Sequence, residues 1–155
     1  MTATLSNEEI APILFDVLAL GMNKSDNKDL TAILRLLREI RPKALEIVLV
    51  LAWELLKGLE CDEARSLLED ADFRHPGNAR VKATLASVLF FTDVSQWKSY
   101  AGEVRSLPHD EEAAAIVAAI ESADEQRLPS GVALVGFRLP KFVAEIARLQ
   151  APQYA

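Results

Sequence analysis

Apolar residues recur every three or four positions along most of the chain, and short polar or proline-bearing segments interrupt them. That period predicts helices. "SNEE" reads as a capping box, with Ser6 and Glu9 satisfying each other's amides ahead of a helix over about 6–21. Ile10, Leu14, Val17 and Leu18 form its apolar stripe. "NKSDNKD" is a loop, and a second helix covers about 28–40, with Leu30, Ile33, Leu34 and Leu37 in register. Pro42 stops it. Helices over about 43–58 and 62–74 follow, ended by "HPGN". Two more cover about 78–91 and 93–106, ended by Pro108, and an alanine-rich acidic helix covers about 110–124. The expected fold class is all-α.

The stops are periodic. Pro42 and Pro76 are 34 residues apart, as are Leu34 and Leu68, and Leu30 and Ala64. Leu18, Ala52 and Ala86 repeat at 34, and so do Val17, Leu51 and Leu85, while Pro76 to Pro108 is 32. Coincidences at one period indicate an internal repeat of helical hairpins. This resembles tetratricopeptide repeats, most clearly at Ala52, Leu55, Ala64, Leu68, Ala71 and Pro76. Gly58 lies one residue nearer the first helix than the turn glycine of that family, the first unit is degenerate, and the third lacks the second small residue. The expected organisation is a short solenoid domain over 1–126, with units at about 6–42, 43–76 and 77–108 and an extra helix at 109–124.

Residues 127–155 differ. "RLPSGVALVGFRLP" carries two glycines and two prolines around a β-branched run, predicting a strand or extended segment. "PKFVAEIARLQ" predicts a final helix with Pro140 at its first position and Phe142, Val143, Ile146 and Leu149 on one stripe. This extension is expected to pack on the solenoid or on a partner.

Composition narrows the function. The 155 residues carry 17 basic and 23 acidic side chains, a net charge of −6, which argues against nucleic acid. The one basic cluster, Arg35, Arg38, Arg41 and Lys43, reads as a solvated helix face. The single cysteine, Cys61, allows no intrachain disulfide and reads as an incidental thiol. The N-terminal run has no basic start and is interrupted by Glu8, Glu9 and Asp16, unlike a signal peptide. No apolar run approaches the roughly 20 residues of a membrane helix. The expectation is a cytoplasmic protein without membrane insertion.

No catalytic constellation emerges, and no cofactor or metal is expected. His75 and His109 each adjoin a helix-terminating proline, where a histidine serves as a helix-end cation. Asp110, Glu111 and Glu112 sit where a helix dipole favours acids. "GVALVG" lacks the lysine and hydroxyl of a phosphate loop. The binding surface is more informative. In stacked hairpins the first helix of each pair lines the concave face. That register assigns Phe15, Ala19 and Met22 there from the first unit, Leu49, Trp53 and Leu56 from the second, and Ala83, Ser87 and Phe90 from the third, with Phe91 beside them. Such an apolar groove fits an amphipathic helix. It lacks the lysine, arginine and asparagine that would hold the acidic tail of a heat-shock chaperone. Either a protein partner or the chain's own final helix should fill it, because an open patch of this size is a liability.

Over about 30–123 the runs "LLREIRPK", "LAWELLKG", "DEARSLLEDAD", "KATLASVLFFTDVSQW" and "EEAAAIV" resemble the HrpB/HrpK-type proteins of bacterial type III secretion systems. Arg41-Pro42-Lys43, Ala52-Trp53, Lys57-Gly58, Asp93 with Trp97, and Glu112-Ala113 before Ile116-Val117 carry the likeness. The chain is more loosely similar to tetratricopeptide-like chaperones of needle subunits. The resemblance implies an accessory or chaperone protein of a virulence-associated secretion apparatus, not an enzyme, whose partner is a helical needle or pilus subunit or a co-chaperone. The alternative is a structural or docking subunit that self-associates, on the periplasmic side of the machine in some members.

Overall fold

The computed structural model describes Ser6, Glu9 and residues 28–126. The expected helix over about 6–21, apart from its two capping residues, and the extension 127–155 lie outside the described residues. The capping box is formed: the Ser6 amide donates to Glu9 Oε2 at 2.8 Å, and the Glu9 amide donates to Ser6 Oγ at 3.3 Å. The hydrogen bond from the Ser6 amide holds the Glu9 carboxyl below its usual range.

All regular structure among the described residues is helical. The helices are α1 (Lys28–Ile40), α2 (Leu45–Lys57), α3 (Cys61–Arg74), α4 (Ala79–Phe91), α5 (Trp97–Ser106) and α6 (Glu111–Glu125). Each packs on the next, and α4 also packs on both α2 and α6. This is a run of antiparallel hairpins in which α2, α4 and α6 form an inner row and α1, α3 and α5 an outer one. The core follows the sequence period. Leu51 and Leu85, Ala52 and Ala86, and Leu34 and Leu68 are 34-residue pairs, and none is more than 1% exposed. Ala52 and Ala86 are small enough to let packed helices approach closely, and the buried leucines fill the core beside them.

The backbone repeats as well. At the end of α2 the Gly58, Leu59 and Glu60 amides donate to the Glu54, Leu56 and Leu55 carbonyls at 3.0, 3.0 and 2.9 Å. At the end of α4 the Thr92, Asp93 and Val94 amides donate to the Val88, Phe90 and Leu89 carbonyls at 3.1, 3.1 and 2.9 Å. Every partner is shifted by 34. Both ends are Schellman closures, which require a left-handed residue just past the helix. Leu59 (φ 61°) and Asp93 (φ 57°) fill that position. The left-handed turn at Asp93 makes α5 begin at Trp97 rather than at the expected residue 93.

Gly58 is therefore misplaced by one residue. It has φ −80°, which any residue adopts, while a bulky leucine takes the strained position. Leu59 is 73% exposed, so little packing compensates it. Leu59→Gly should raise stability by about 1 kcal/mol, read as a higher urea midpoint. Gly58→Ala should be neutral or slightly stabilising, since an added Cβ would meet nothing nearer than 3.5 Å. A lower midpoint for Leu59→Gly would mean that the leucine side chain makes a stabilising contact.

Candidate partner-binding face

The inner-row helices carry the candidate residues. Ile47 to Leu56 is an unbroken run of buried residues, so α2 is enclosed on every side. Leu49, Trp53 and Leu56, expected to line the groove, are 3%, 2% and 0% exposed. In α4, Ala83 and Ser87 are fully buried and Phe90 is nearly so. Phe90 turns its ring edge-on to Trp97 of α5, with centroids 5.5 Å apart, and so ties α4 to its hairpin partner. These groove residues are therefore held inside the protein. Phe91 is different. It stands half-buried four residues beyond Ser87, its ring edge-on to Phe90 at 5.4 Å. Phe15, Ala19 and Met22 lie outside the described residues.

The row continues to the end of the described array. The N-caps of α4 and α6 match, since Asn78 Oδ1 accepts from the Val81 amide at 3.1 Å and Asp110 Oδ1 from the Ala113 amide at 2.9 Å. That fixes an offset of 32 residues, the same as Pro76 to Pro108. Ala83, Ser87 and Phe90 then correspond to Ala115, Ala119 and Ser122, which are exposed. The face is closed at α2 and α4 and open, with small side chains, at α6.

Two charged groups are buried within this framework. Glu54 is 2% exposed and receives a hydrogen bond from Lys57 Nζ at 2.9 Å. Lys82 is 6% exposed and bridges α3 and α5: its Nζ lies 2.9 Å from Asp72 Oδ1 and 2.7 Å from Glu103 Oε2, and 5.7 Å from the Tyr100 ring centroid. Burial alone pushes the Lys82 ammonium down, but the hydrogen bonds to Glu103 and Asp72 outweigh it and raise the pKa. Burial, then the nearby Asp72 and Glu103 charges, also pushes the Tyr100 hydroxyl up. A lysine inside an apolar helical pattern carries no sequence sign of two carboxylates arriving from other helices.

The outer row gathers what the sequence reading kept apart. Arg35, Arg38 and Lys43 meet Arg74 and His75 around a cleft between α1 and α3. Glu39, Glu63 and Asp70 line it too, so its charges largely balance. Arg35 reaches Glu63 Oε2 at 2.8 Å and Glu60 Oε2 at 3.4 Å. The basic cluster is therefore partly an interhelical ion pair, worth little at this exposure. Phe73 projects from α3 with 86% of its surface exposed. His75 and His109 are exposed at helix ends. The Cys61 thiol is pushed up by burial and by Asp62, away from the thiolate a nucleophile needs. Among the described residues no group of three His, Cys, Asp or Glu could hold a metal, and no helix is long and apolar enough to cross a membrane.

A family model described as bacterial type III secretion protein (HrpB1_HrpK) matches residues 1–126. Neither the curated proteins nor the solved structures give a significant match.

Proposed function

Because the chain belongs to the HrpB1_HrpK family of bacterial type III secretion proteins, we propose that it is an accessory or chaperone protein of that apparatus which holds an amphipathic helix of a needle or pilus subunit. The family match carries the secretion role. The geometry supports the rest. The supporting features are the half-buried Phe91 at the end of α4 and the exposed Ala115, Ala119 and Ser122 of α6, which continue the register of Ala83, Ser87 and Phe90. Small exposed residues let a partner helix approach closely, and the half-buried aromatic supplies an anchor. Covering such a helix keeps a polymerising subunit from assembling early. It needs no catalytic step and no cofactor, and the proposed compartment is the cytoplasm.

The test is binding of the purified subunit. Phe91→Glu should weaken it at least tenfold while the thermal midpoint stays within a few degrees, and Phe73→Glu on the outer row should leave it unchanged. Equal binding by Phe91→Glu and wild type would refute the inner face as the site. One observation favours a second reading. The exposure of Phe73, on a helix also bearing exposed Glu69 and Asp70, suits a docking subunit that uses the outer row. Loss of binding by Phe73→Glu alone would establish that reading.

A further inference from the structure

The described array ends on an unpaired inner helix. Each earlier inner helix is followed by an outer one: α2 by α3, and α4 by α5. By the 32-residue offset, Ala118 of α6 corresponds to Ala86 of α4, and through the 34-residue period to Ala52 of α2. Ala52 and Ala86 are wholly buried, whereas Ala118 is exposed. Ala114 likewise corresponds to Lys82, which sits in the seam between two outer helices. Beside Ala118 runs a groove of about 300 Å³ between α5 and α6, with Val104, Leu107 and Val117 among its walls. It lies where a fourth outer helix belongs, along the side of α6 that adjoins Ala115, Ala119 and Ser122.

We propose that the chain's own C-terminal segment, residues 140–150, seats in this groove as the missing outer helix and closes the array. Three features select this occupant. Its sequence, "PKFVAEIARLQ", has one apolar stripe of Phe142, Val143, Ile146 and Leu149, the single face an outer helix buries. Its charge is complementary: residues 127–155 carry four basic side chains and one acidic, whereas residues 110–125 carry six acidic and none basic. Packed antiparallel to α6, the segment brings Lys141 toward Asp124 and Glu125. The connection also reaches. The 13 residues 127–139 span up to roughly 40 Å, against about 22 Å for the length of α6. Such a connection is longer than the turns inside the hairpins, but closure entropy grows only slowly with length. The family match covers residues 1–126, so the proposed closing helix lies beyond the matched residues. A solenoid end needs such a cap to keep its apolar edge from other chains.

The full chain tests this with Cys61→Ser, Ala118→Cys and Ile146→Cys combined. Mild oxidation should give an intramolecular disulfide in a monomer, seen by peptide mass and faster migration on a non-reducing gel. Absence of a cross-link, or a disulfide-linked dimer in which the segment seats on another copy, would overturn the proposal. A second measurement is independent of the cysteines. Ala118→Arg fills the seat and repels the basic segment. It should speed amide hydrogen exchange in residues 140–150 at least tenfold and leave α1 to α5 unchanged, and unaltered exchange there would count equally against the proposal.

Discussion

Trp53→Ala should cost about 4 kcal/mol of folding stability. The indole is 2% exposed inside a helix buried on every side. Truncating a buried aromatic removes its transfer free energy and leaves a cavity that the close-packed surroundings fill only in part. A domain of this size has roughly 5–15 kcal/mol in total. The urea midpoint should fall by about 2 M for a slope near 2 kcal/mol per M. Trp53→Glu adds an unpaired buried charge and should not fold. A Trp53→Ala midpoint within a few tenths of a molar of wild type would show that Trp53 is a surface residue and that the enclosed α2 is wrong.

Lys82→Met should cost about 2–3 kcal/mol. Methionine keeps the bulk and removes the ammonium that links Asp72 of α3 to Glu103 of α5. Breaking a fully buried pair costs more, about 3–5 kcal/mol. Here the Asp72 and Glu103 side chains are 19% and 47% exposed, so water recovers part of the loss. The sign of the pH dependence follows from the raised pKa. A lysine held above its ordinary value of 10.5 contributes stability that is fully present below that value. The contribution is lost as pH climbs through the higher folded value. Urea midpoints of wild type and Lys82→Met should therefore differ at pH 7 and converge as the pH rises through the raised folded value. A constant difference across that range would show that the ammonium charge is not what stabilises the bridge.

The helices were legible because the signals that set them are local. Pro42, "HPGN" and Pro108 bound elements that the structure places within a residue or two, and the 34-residue period names core pairs such as Ala52 and Ala86. Exceptions are local too. The start of α5 depends on Asp93 adopting a left-handed conformation, which an aspartate signals only weakly. The site was less legible than the fold. Placing Leu49, Trp53 and Leu56 on a concave face assumed an amphipathic α2. Yet Ile47 to Leu56 holds one charged residue in ten, a composition that predicts burial all round. Phe90 likewise looked like a groove residue because nothing in sequence ties it to Trp97. The Lys82 bridge and the α1–α3 cleft join residues from separate helices. Period and composition do not encode such meetings; packing creates them.

The central claim, that the inner face takes a secretion-subunit helix, is tested most directly by site-specific photo-cross-linking. A benzophenone side chain placed at Phe91 or at Phe73 reports contact without requiring either residue to contribute affinity. With the purified needle or pilus subunit, position 91 should yield a covalent adduct with the subunit and position 73 none. Capture at position 73 with none at position 91 would contradict the account and move the interaction to the outer row.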